Sequence, residues 1–135
     1  MAMQTLVDQP GFTIHQDPAT RWLYVTWQGY HDAPAVQHCC ELLLGQVQRT
    51  GSTKILNDGS QDLDGWGPAV RWAQQEFFPR LVAEGVVAWA WVLPQDLRAH
   101  IDVNKVLEAS PQLLLDTFSE VEAACRWLHT LTPAP

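Results

Sequence analysis

Val86-Val87-Ala88-Trp89-Ala90-Trp91-Val92-Leu93 is the stretch on which the fold turns. It is apolar throughout and bounded by Gly85 and Pro94, and so short a run between two chain breakers suits a strand better than a helix. Side chains alternate across a strand, so Ala88 and Ala90 share one face and Trp89 and Trp91 the other. A strand that is apolar on both faces must be covered on both, as in the centre of an α/β sheet.

The segments before it supply one cover. A helix beginning near Gly65 to Pro68 carries, at 100° per residue, a stripe of Trp66, Ala69, Val70, Ala73, Phe77 and Leu81. Trp72 falls off that stripe, nearer Glu76 and Ala83, and Pro79 inside the pattern predicts a kink or a restart because proline removes a backbone donor. Upstream, Thr53 to Asn57 reads as a short strand running into the polar loop Asn57-Asp58-Gly59-Ser60-Gln61-Asp62-Leu63-Asp64-Gly65. Asp32, with Pro34 in the first turn, opens an earlier helix whose Val36, Cys40, Leu43 and Val47 form a core face until Gly51 ends it. The spacing of strand, helix and strand implies a parallel crossover.

At the N-terminus, Phe12 to His15 and Trp22 to Gln28, separated by Asp17-Pro18-Ala19-Thr20, read as an antiparallel hairpin. After Pro94 a weaker helix is expected from about Gln95 to Leu107, then a strand from Gln112 to Phe118. Ser119 and Glu122 match a capping box before a stripe of Val121, Ala124, Cys125, Leu128 and Leu131. The fold class is therefore α/β: one mixed sheet of about five strands, an N-terminal antiparallel hairpin followed by parallel strands, and about four helices in the order ββαβαβαβα. The 135 residues make a single domain with an ordered core from about 11 to 131.

Composition narrows the function. A formal net charge of -7, with only eight Lys and Arg that never cluster, argues against a nucleic-acid partner held by phosphates. Met1-Ala2-Met3-Gln4 lacks the features of a signal peptide, and no apolar run approaches the roughly 20 residues of a membrane span. Three cysteines, two of them adjacent at Cys39 and Cys40, do not form a disulfide framework, so a cytoplasmic protein with reduced thiols is expected.

The element order, together with Lys54-Ile55-Leu56-Asn57-Asp58, the Trp72 to Leu81 segment with Glu76-Phe77-Phe78-Pro79, and the ending Phe118 to Leu128, resembles the STAS domains. These are bacterial proteins related to anti-sigma-factor antagonists, in a wider fold group that includes the CRAL-TRIO lipid-binding domains. The resemblance implies a non-enzymatic interaction or regulatory domain, with a protein partner of regulatory type. It also implies, as the alternative, a binder of a small apolar or lipid-like ligand in an aromatic-lined pocket between the Trp89/Trp91 face and the Phe77-Phe78 helix. Regulatory STAS domains carry a phosphorylated serine after an aspartate at a helix N-terminus; here the region reads Asp58-Gly59-Ser60. A phosphate on Ser60 would meet Asp58, Asp62 and Asp64 with no cation nearby in sequence to receive it, which argues against a phospho-switch.

Other constellations yield to plainer readings. Asp58, Asp62 and Asp64 miss the twelve-residue calcium loop, which would want a carboxylate where Ala69 stands, and aspartates before a helix serve turns and caps. His31, His38, Cys39 and Cys40 cannot share a tight metal or nucleophile site, because neighbours on a helix point about 100° apart. His15 with Asp17 and His100 with Asp102 lack any completing serine motif, and neither G-x-G-x-x-G nor a Walker loop is present. No catalytic residue, metal or cofactor is thus called for. What packing leaves over is a candidate contact region for a homodimer, a protein partner or a ligand, made of Asp58, Ser60, Trp66, Trp72, Glu76 and Pro79.

Overall fold

The computed structural model describes residues 3–63, 66, 69–98, 108 and 110–131. The Trp-Ala alternation makes strand β5, Ala88–Val92, buried at every residue. Around it lies one six-stranded sheet in sequential order: β1 (Gln4–Gln9), β2 (Phe12–Gln16), β3 (Leu23–Gly29), β4 (Lys54–Asp62), β5 and β6 (Leu114–Phe118). The first three strands pair antiparallel; β3 with β4, β4 with β5 and β5 with β6 pair parallel. The expected mixed α/β sheet is therefore present, with one strand more than the sequence pattern indicates. Gln4–Gln9 is that strand, an edge element of mostly polar residues, and it turns the expected hairpin into a three-strand meander and starts the ordered chain before residue 11.

Register places the two faces. Leu23, Ile55, Trp89 and Leu115 form one cross-strand row, and Val25, Asn57, Trp91 and Thr117 the next. Helix α1 (Ala33–Thr50) packs on this face with Val36, Cys39, Cys40, Leu43, Leu44 and Val47. Its ends match the expectation: Asp32 Oδ1 accepts the Ala35 N–H at 2.9 Å, and Gly51, at φ 69°, closes the C-terminus by donating to the Val47 carbonyl.

The second cover of this face departs from a regular helix. α2 (Ala69–Trp72) passes into a π segment (Ala73–Phe77) and then into α3 (Phe78–Ala83), with the Phe78 N–H bonded to the Ala73 carbonyl five residues back. The wider turn lets Phe77 and Phe78 straddle the line of Ala73, so consecutive rings are both buried against the sheet. Pro79 falls in the first turn of α3, where its missing donor is tolerated, so the helix widens instead of breaking. Trp66 is not in the helix: it stands in a turn before Ala69, with φ 73°. Gly65 and Pro68, where the helix was expected to begin, lie outside the described residues. Arg80 of α3 forms a two-toothed ion pair with Glu41, tying this element to α1.

The opposite face carries Leu56, Ala88, Ala90 and Val92, covered by the last helix, which we label α5 (Val121–Thr130), through Ala124 and Leu128. Small alanines let that helix lie close. The expected capping box is absent: Glu120, extended at φ −139°, is the N-cap residue and no side chain caps the turn. At the other end, buried Lys54 donates from Nζ to the Leu128 carbonyl at 2.9 Å and to the Leu131 carbonyl, with the ammonium 5.4 Å from the Trp22 ring centroid. A cation thereby meets the negative end of α5. The helix expected from Gln95 to Leu107 is described only as α4 (Gln95–Arg98); the remainder of that reading lies outside the described residues.

Two outcomes follow for stability in urea. Phe78→Ala should cost about 3–5 kcal/mol, because it deletes a fully buried ring, whereas Glu76→Ala on the exposed side of the π segment should stay within about 0.5 kcal/mol. Lys54→Met should cost about 1–3 kcal/mol and speed amide exchange in α5, because it leaves the helix's last carbonyls without a buried donor.

Candidate functional site

β4 runs farther than the sequence pattern suggests. Asp58 to Asp62 are not a loop but the strand's second half, paired with Thr26, Gln28 and Gly29 of β3. The register shifts between Thr26 and Gln28, so β4 carries one extra residue there, a bulge at which Ser60 is exposed to solvent. Asp58 Oδ1 accepts the Ser60 N–H at 3.0 Å, a local turn within the bulge. Gly59 is required: a Cβ there would lie 2.9 Å from Leu93 Cδ2 and 3.0 Å from the Val92 carbonyl oxygen. Ser60 is therefore exposed but sits on a strand, away from any helix N-terminus. Asp62 is buried, and Asp64 lies outside the described residues.

At the end of the paired strands the Leu63 N–H donates to the Gly29 carbonyl. Just past this end both chains expose a large side chain: Tyr30 is 77% exposed and Leu63 57%. Sequence reasoning passed over both. Tyr30 follows a strand-ending glycine and Leu63 interrupts a polar run, the only signals either gives.

Beneath that end lies the aromatic layer. Trp27, Trp66, Phe77, Phe78, Trp89 and Trp91 are each fully buried and in mutual ring contact, with Trp66 at the centre. Phe78 and Trp89 meet edge to face at 5.2 Å, so the expected space between the Phe77-Phe78 helix and the Trp89/Trp91 face is occupied by the rings themselves. Trp72, off the stripe at regular helical spacing, is carried by the π turn to a parallel stack on Phe77, 6.0 Å between centroids at 12°. It is half-buried core edge, and the exposed indole that suggested a dimer surface there is absent. Trp127 likewise packs on Phe118 at 5.4 Å.

The layer has an unusual polar content. Asn57, in mid-sheet and completely buried, accepts the Trp27 Nε1–H at 2.7 Å on its Oδ1. Its Nδ2 has no acceptor among the described residues, and neither do the indole N–H groups of Trp66, Trp89 and Trp91. Each buried donor left unpaired costs about 1–3 kcal/mol. The ring contacts around Trp89 are edge to face, but rings do not replace four acceptors.

Of the expected contact residues, the structure gathers Trp66 and Trp72 around Phe77 and leaves the others apart: Asp58 and Ser60 at the β4 bulge, Glu76 exposed on the π segment, Pro79 half-buried at the start of α3. No acid-base or nucleophilic pair assembles among the described residues. Asp17 Oδ1 is engaged by the Ala19 N–H, not by His15. Burial pushes the Cys39 thiol up from its ordinary 9.0 to about 11 and raises Cys40 as well, so both are poor nucleophiles at neutral pH. No group of three His, Cys, Asp or Glu among the described residues is placed to hold a metal ion, and no described helix is long and apolar enough to cross a membrane.

The thiol environment is directly measurable. In native protein at pH 8 a thiol reagent should label Cys125 quickly, and Cys39 and Cys40 only after unfolding. A Cys39 thiol held above its unfolded value keeps its proton in the fold, so stability should fall as pH rises from about 9 toward 11, less steeply in Cys39→Ala.

No protein-family model, no curated protein and no solved structure matches the chain.

Proposed function

We propose that the chain is a non-enzymatic interaction domain of STAS-like kind that self-associates through the ends of β3 and β4. The carrying observation is the pair Tyr30 and Leu63, exposed at 77% and 57%, which directly follow the register partners Gly29 and Asp62 at the ends of β3 and β4. A tyrosine beside an aliphatic residue on a rigid strand end, with polar Ser60 on the neighbouring bulge, has the make-up of an interface centre with a polar rim. A two-fold axis would cover such a patch with its own copy. The contact region thus keeps Asp58 and Ser60 from the sequence reading and exchanges Trp72 for Tyr30 and Leu63. The buried, high-pKa thiols and an Asp17 engaged by a backbone N–H favour binding over catalysis; His100 and Asp102 lie outside the described residues.

A second reading, binding of a small ring ligand that carries acceptors in place of a wholly apolar one, draws support from the aromatic layer around Trp66, where buried donors lack acceptors.

Light scattering should report a dimer at high protein concentration. Tyr30→Ser combined with Leu63→Ser should weaken it about tenfold or more while leaving the melting temperature of the monomer unchanged, since neither side chain is buried. A wild-type chain that remains monomeric throughout would refute the self-association.

A further inference from the structure

We propose that Trp66 is a resident plug in a site for a planar, neutral ring ligand that bears hydrogen-bond acceptors. This rests on the ligand-binding reading and names its chemistry.

Three observations meet at Trp66. Its backbone is at φ 73°, a left-handed conformation that a bulky side chain adopts only when its surroundings impose it. Its ring, 1% exposed, sits among five others: Trp91 at 4.8 Å, Trp27 at 5.2 Å, Trp89 at 6.1 Å, Phe77 at 6.2 Å and a parallel Phe78 at 6.5 Å. The groups around it are donors. Asn57 Nδ2, Trp89 Nε1 and Trp91 Nε1 are buried without acceptors, and Asn57 and Trp91 are register partners on adjacent strands.

The resident ring has the wrong polarity for this setting. An indole carries one donor and no acceptor, so Trp66 adds a fourth unpaired N–H to those of Asn57, Trp89 and Trp91. A fused ring of similar size with a carbonyl or ring-nitrogen acceptor would keep the stacking contacts and give those donors partners. Buried Lys54 serves the opposite face and offers no cation to this layer, which favours a neutral acceptor over a carboxylate.

The probes are coumarin, a two-ring lactone with one carbonyl acceptor and a ring oxygen, and naphthalene, of the same size with none, each titrated calorimetrically into the full chain. Wild type should bind coumarin, and Trp66→Gly, which empties the ring position and suits the left-handed backbone, should bind it about tenfold more tightly. Naphthalene should bind Trp66→Gly several-fold more weakly than coumarin does. Trp91→Phe in the Trp66→Gly background, which removes one donor and keeps a ring, should narrow that preference; Asn57→Leu should do the same, and Trp91→Phe carries the test if Asn57→Leu does not fold. Equal affinity of Trp66→Gly for both probes would overturn the acceptor assignment and leave the ligand reading standing. Binding of neither probe to wild type or to Trp66→Gly would overturn both.

Discussion

The unequal faces of β5 set the terms for everything packed on the sheet. Trp89 and Trp91 need a thick aromatic layer on their side, while Ala88 and Ala90 leave room for a helix to approach closely on the other. The π segment is a response to the first demand. A regular helix would bury one of Phe77 and Phe78 against the indoles; the widened turn buries both, brings Trp72 onto Phe77 and accommodates Pro79. Lys54 is a response to the second. On the alanine side the sheet is thin enough for a lysine from β4 to reach the last carbonyls of α5 and anchor them.

What could be read in the chain follows from how strong each local signal is. The Trp-Ala alternation, the Asp32 and Gly51 caps and the apolar face of α1 are patterns with one physical solution, and the structure has them. β1 has no such pattern, because an edge strand with little buried surface is free to be polar. The second half of β4 reads as a loop for a related reason: Asp58, Ser60 and Gln61 owe their strand pairing to β3, not to their own preferences. Trp72 was misplaced by arithmetic alone, since a stripe counted at 100° per residue cannot anticipate a turn closed five residues back. The Ser119 and Glu122 pattern is a common one, and here the chain enters α5 through an extended Glu120 instead.

The candidate site was legible only in outline. The candidate region Asn57 to Gly67 owes its character to partnerships that the sequence does not display. Asn57 looks like the first residue of a polar loop and is instead a fully buried amide in mid-sheet, bonded to an indole from β3. Trp66 fits the apolar stripe on paper yet reaches the core from a left-handed turn outside the helix. Both differences put polar atoms where solvent does not reach them, which ordinary apolar packing does not do.

The sequential strand order bears on how the chain comes to be folded. Each strand pairs with the one made just before it, so the sheet can grow by addition at one edge as synthesis proceeds, without waiting for a distant partner. The exception is the alanine face. Among the described residues, Leu56, Ala88, Ala90 and Val92 are covered by α5, which follows every strand of the sheet in sequence. A ribosome-bound or truncated chain therefore holds a nearly complete sheet with one sticky side, and that side is where aggregation or chaperone capture would begin.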